Sequence, residues 1–106
     1  MEQKDIDNLI DLTQKTATLL YMNNAEQAQQ NLGLIISSVS GIYTEMIADT
    51  IRYNNLGIEI PGRILCDQIQ NLSEAVAESD IIAIADTLMY EIKEGLMFYR
   101  EVKQML

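Results

Sequence analysis

The chain has no histidine and no tryptophan, one cysteine (Cys66), one proline (Pro61), and only seven basic residues against sixteen acidic ones. Without histidine, the Glu-x-x-His ligand sets of di-iron bundles and the usual cysteine and histidine zinc sites have no donors. Cys66 likewise has no imidazole to activate it, and it reads as a small buried hydrophobe. A lone cysteine closes no internal disulfide, which suits a reducing cytosol. Gly57 and Gly62 flank acids and a proline with no Lys-Ser or Lys-Thr behind them, so no phosphate loop is present. The shortage of bases leaves a formal charge of −9, which disfavours nucleic-acid backbones and favours solubility or a basic protein partner. The opening MEQKDIDNL has acids where a secretory signal needs bases, so a cytoplasmic location is expected. The remaining metal-ligand candidates are carboxylates, Glu45 and Asp49 with Asp86 or Glu91, and these read as a solvated face. The expectation is a protein that is not an enzyme and has no catalytic residue, cofactor or metal.

What is present is apolar periodicity. A chain of 106 residues with 48% hydrophobic content is long enough to bury one core, and a single helical domain over residues 1–106 is expected. Ile6, Leu9, Ile10, Thr13, Ala17 and Leu20 mark one face of a first helix from about Lys4 to Met22, ended by an Asn23-Asn24 turn. Ala25, Ala28, Leu32, Ile35, Val39, Ile42 and Met46 then alternate steps of three and four along a second helix reaching about Tyr53.

That helix contains the charge-free stretch LGLIISSVSGIY, residues 32–43. It lacks the period-two alternation of a strand, and Gln29, Gln30, Glu45 and Asp49 close in too soon for a membrane span. Its small residues Gly33, Ser37 and Gly41 share one stripe and are expected to mark close packing against a neighbouring helix, with a kink a further expectation near Ser37 to Gly41. LGIEIPGR is the main loop. Pro61 opens a third helix through Leu65, Ile69, Leu72 and Val76 to about Ala77, and Ser79 or Asp80 caps a fourth. Ile81, Ala85, Leu88, Ile92, Gly95, Tyr99, Val102 and Leu106 give that fourth helix an unbroken heptad seam, widened by Ile82, Met89 and Leu96. The fold expected is all-α: an antiparallel four-helix bundle with unequal helix lengths, the second and fourth longest.

Two features point to an interaction surface. Asp67, Glu74, Glu78, Asp80, Asp86 and Glu91 carry charge between Ile64 and Ile92, a stretch with no base, so the turn at Glu74, Glu78 and Asp80 is strongly negative. Tyr90, Met97 and Phe98 cannot all point inward together with Met89, so part of this set faces a partner.

Within ADTLMYEIKEGLMFYRE, residues 85–101, the pattern Asp86-x-Leu88-x-Tyr90-Glu91-Ile92 resembles the last helix of small acidic helical accessory proteins of Gram-positive bacteria, some found near motility genes. It departs at Glu94, where those proteins commonly have proline. The resemblance implies a noncatalytic accessory protein similar in style to flagellar export chaperones, and it assigns no site. Residues and resemblance together lead to a protein–protein interaction module, a chaperone or adaptor presenting an apolar helical groove to an amphipathic helix. The alternative is an acidic inhibitor or nucleic-acid mimic, for example a phage-derived antagonist, that binds a basic protein surface. A homodimer is a third arrangement; nucleic acid and membrane are not expected partners.

Overall fold

A computed structural model describes residues 2–105, so Leu106, the last position of the heptad seam, lies outside the described residues. Every regular element among those residues is helical: α1 (Gln3–Tyr21), α2 (Ala25–Ala48), α3 (Thr50–Asn55), α4 (Gly62–Ala77), α5 (Ile81–Thr87), a π-helical turn (Leu88–Ile92) and α6 (Lys93–Met105). The all-α class therefore stands. None of these helices is long and apolar enough to cross a membrane.

The apolar stripes read from the sequence become the core. α1 buries Ile6, Leu9, Ile10, Ala17 and Leu20, and α2 buries every seam position from Ala28 to Met46. The polar residues on these faces are satisfied locally: Thr13 donates to the Leu9 carbonyl at 2.8 Å, and Thr16 accepts from Asn31 at 3.2 Å. α1 and α4 each pack against both α2 and the path from α5 to α6, and α1 also contacts α6 directly. The molecule is elongated, about 45 × 26 × 18 Å.

Three turns share one way of stopping a helix. Asn23, Gly57 and Ser79 have φ of 61°, 79° and 53°. In each case the next residue's N–H reaches back five positions, as Asn24 to Leu19 at 2.8 Å, Ile58 to Tyr53 at 2.9 Å and Asp80 to Ala75 at 3.0 Å. This left-handed cap satisfies the last carbonyls. Ser79 therefore ends α4, while Asp80 starts α5 by accepting the Ala83 N–H at 3.1 Å.

The element list departs from four continuous helices in two places. The second helix does not run unbroken to Tyr53. It kinks at Asp49, where the Thr50 hydroxyl donates to the Ile47 carbonyl at 2.7 Å, a side-chain bond that bends helices. The stretch from Ser37 to Gly41 is regular α-helix. The fourth helix contains the π turn. Ile84, Leu88, Ile92 and Leu96 are spaced by four, and such a series drifts by about 40° per step around an α-helix. A wider turn takes up that drift, and Leu88, Ile92 and Leu96 all reach 0% exposure. Ile82, placed on the core stripe by its spacing, is instead exposed.

The close helix packing expected at Gly33, Ser37 and Gly41 is corrected. All three are exposed, and nothing lies within 4 Å of a side chain built at either glycine. The close approach belongs to Gly95, where a Cβ would collide with the Tyr43 hydroxyl and meet Gln68 Oε1 at 2.9 Å. Alanine at 95 must displace Tyr43, and a loss of roughly 1–3 kcal/mol is expected from overpacking. Gly33→Ala and Gly41→Ala should instead stabilise by up to about 1 kcal/mol, because exposed helix interiors favour alanine. Thermal unfolding of the three variants checks the order, and Tyr43→Phe should recover part of the Gly95→Ala loss.

The end of α6 is tied back to its neighbours by polar contacts. Arg100 pairs with Asp7 at 2.9 Å, and Lys103 donates to Glu45 at 3.1 Å. Lys103 also stands 5.5 Å from the centre of the Tyr99 ring, whose hydroxyl donates to Glu45 at 3.1 Å. Partial burial alone would raise the Glu45 carboxyl, but the hydrogen bonds from Lys103 and Tyr99 and the Lys103 charge hold it below its ordinary value. Tyr99 is raised, first by burial and then by its bond to Glu45. Lys103 is raised by its bond to Glu45. Raised groups bind protons more tightly in the folded chain, so their contribution is complete at neutral pH and is lost above the ordinary values of 10.0 for Tyr99 and 10.5 for Lys103. The melting temperature is therefore expected to fall above about pH 10, and less steeply in Tyr99→Phe. The lowered Glu45 contributes an opposite loss as the pH falls below 4.5.

Candidate interaction furrow

α2 and α4 run antiparallel and do not close against each other along their outer edge. Two hollows lie in the seam. The larger, about 390 Å³, opens near the α1–α2 and α4–α5 turns, between Leu32, Gly33 and Ile36 on α2 and Val76, Ser79 and Ile81 beyond them. The smaller, about 190 Å³, lies farther along, between Ser40, Thr44 and Ile47 on α2 and Leu65, Cys66 and Ile69 on α4. A further hollow of about 350 Å³ rests on Asp11, Gln14, Lys15, Thr18 and Leu19, all residues of α1. Walls from one helix give an occupant nothing on the opposite side. A hollow of about 250 Å³ between Leu9 and Leu12 on α1 and Leu34 and Ser38 on α2 has two walls but stands alone, whereas the α2–α4 seam holds two hollows in line and is the better candidate.

The furrow is built by sequence features that look unremarkable one at a time. On α2, Gly33 borders the larger hollow and Ser40 the smaller, giving a low wall, while Ser37 and Gly41 line neither. On α4, Ile69 and Val76 sit half-buried at the edge of the core. Tyr43 fixes the floor of the smaller hollow. Its hydroxyl donates to Gln68 Oε1 at 2.7 Å, and burial, then the nearby Glu91 charge, raise its pKa. A neutral, immobilised phenol is a structural strut and not a proton donor at ordinary pH.

The acids stand outside the furrow. Glu74, Glu78 and Asp80 are all exposed; Glu74 accepts from Gln70 at 3.0 Å, and Asp80 also serves as the cap of α5. Asp67 lies on the outward side of α4 and Glu26 on the Gly33 side of α2. Among the described residues, no group of three or more acids, cysteines or histidines is arranged to hold a metal. Glu45 faces Lys103, Glu91 accepts from Asn71 at 3.1 Å, and Asp86 accepts from Tyr21. That last bond, with partial burial and the Asp86 charge behind it, pushes Tyr21 up to about 12.

The aromatic and methionine set expected at a partner surface divides. Tyr90, on the π turn, is 69% exposed, whereas Met97 and Phe98 are half-buried against the core. None of these three lines either hollow of the furrow. The structure therefore brings Gly33 to a cleft and leaves Tyr90 apart from it. Sequence reasoning missed Ile36, Ile69 and Val76 as furrow residues, because half-buried apolar positions carry the same periodicity as fully buried ones, and it missed Cys66 by reading it as buried.

Cys66 is exposed, correcting its assignment as a buried hydrophobe. It should react with iodoacetamide in the native chain without denaturant, which intact-mass measurement would show. A rate equal only to that of global unfolding would contradict this placement. Family models, curated proteins and solved structures compared with this chain yielded no match.

Proposed function

We propose that this chain is a non-enzymatic protein–protein interaction module, a chaperone or adaptor that receives an apolar helical segment of another protein in the α2–α4 furrow. In this reading α1, α2 with α3, α4, and the path from α5 to α6 act as the four members of an antiparallel bundle working in the cytoplasm. The observation that carries the reading is the furrow itself: apolar hollows on a seam between two helices, with Gly33 and Ser40 among their walls. A helix laid there would bury Ile36, Ile69 and Val76, and Gly33 and Ser40 would let its backbone come close.

The acidic stretch supports a second reading, an inhibitor or nucleic-acid mimic that binds a basic protein surface through Glu74, Glu78 and Asp80. Here the partner would depend on charge alone and ignore the hollows. A structural homodimer is the third.

Gly33→Trp separates the first two. It fills the larger hollow from an exposed helix position and is expected to leave thermal unfolding within about 1 kcal/mol of the parent. Under the groove reading, affinity purification of the parent chain from its native host recovers a stoichiometric partner that the Gly33→Trp chain loses. A partner retained by that variant but released by salt would favour the charge reading. Sedimentation at several concentrations tests the homodimer.

A further inference from the structure

We infer that the furrow's occupant is a basic amphipathic helix, with two apolar anchors about eleven residues apart and Lys or Arg at the end that enters the larger hollow. This rests on the docking reading above and adds the chemistry of the partner. Gly33 borders the larger hollow and Thr44 the smaller. At 1.5 Å per residue, that stretch of α2 spans about 16 Å, or three turns. A helix lying along the furrow has the same rise, so anchors three turns apart point the same way and enter both hollows. The larger hollow, about 390 Å³, admits a leucine, methionine or phenylalanine; the smaller, about 190 Å³, suits a valine or alanine.

Charge selects among occupants that could satisfy this spacing. α2 has no base between residues 25 and 48. Ala25 and Ser79 line the larger hollow, so Glu26, Glu78 and Asp80, their exposed sequence neighbours, stand around its mouth, whereas Asp67 and Glu74 lie on the side of α4 turned away from α2. A second copy of the chain fits poorly. It would set −9 against −9, and its Arg100 and Lys103 are already paired with Asp7 and Glu45. A helix with lysines or arginines at the end that enters the larger hollow would place opposite charges near Glu26, Glu78 and Asp80.

The test uses the full chain and synthetic helices of about 20 residues, long enough to bridge both hollows. One carries lysine at the end that enters the larger hollow, one glutamine at the same positions, and one has alanine at both anchors. Binding is measured by anisotropy at low and high salt, and the alkylation rate of Cys66, which lines the smaller hollow, reports whether the furrow is filled. The lysine helix is expected to bind about ten-fold tighter than the glutamine helix at low salt, to lose most of that preference at high salt, and to slow Cys66 alkylation. Loss of both anchors should cost about ten-fold or more, and Glu26→Lys with Glu78→Lys should remove the lysine preference. Equal binding of the lysine and glutamine helices, both protecting Cys66, would overturn the basic-partner inference and leave the docking reading standing. Lysine-helix binding that leaves Cys66 unprotected would overturn the inference by placing the attraction elsewhere. If no helix protected Cys66, both would fall.

Discussion

Tyr43 ties three elements together. Its ring leaves α2, its hydroxyl donates to Gln68 on α4, and the bare Cα of Gly95 on α6 makes room for that oxygen. A side chain at 95 would force the phenol away from both. The shape of the furrow depends on this seat, because Tyr43 also forms part of the wall of the smaller hollow. One side chain thus belongs both to the core and to the wall of the furrow.

The π turn solves a related problem of phase. Ile84, Leu88, Ile92 and Leu96 would rotate off one face in a uniform α-helix, yet three of them are fully buried. Widening the turn at Leu88–Ile92 keeps the series on the core and delivers Gly95 and Tyr99 to opposite tasks. Gly95 receives Tyr43, and Tyr99 donates to Glu45. Tyr90 occupies the same turn and points out. Insertions of this kind relocate side chains without adding a loop.

How much of this was legible follows from what periodicity encodes. The buried positions of α1 and α2 and most of the last seam can be read directly, because a three-four spacing reports which face is apolar. Boundaries were less visible. The kink at Asp49 comes from one hydroxyl bonding back to a carbonyl, and the π turn from a run of fours that also fits a loose heptad. Glycine was the least legible residue. Gly33, Gly41 and Gly95 all lie inside helices, and spacing places the first two on a small-residue stripe that reads like a contact. Whether a bare Cα meets a neighbour depends on which helix stands opposite, information absent from the helix's own sequence. The candidate furrow was hidden for the same reason. It is defined by a gap between α2 and α4, and each wall alone resembles the margin of a core.

The distribution of charge gives the two ends of the molecule different character. Lys4, Arg52, Arg63, Arg100 and Lys103 belong to the end formed by the start of α1, α3 and the end of α6, where two of them are held in ion pairs. The opposite end gathers Glu26, Glu74, Glu78, Asp80 and Asp86 around its turns, with no base among residues 64–92. Exposed pairs contribute little individually, so the contrast matters less for stability than for the field outside the protein. Like charges concentrated beside an apolar hollow repel one another, and that cost falls with added salt or with a cationic neighbour. The larger hollow opens at this acidic end. An uncharged apolar segment could fill the hollow but would leave the repulsion in place, whereas a cationic helix would bury apolar surface and reduce the repulsion in one step.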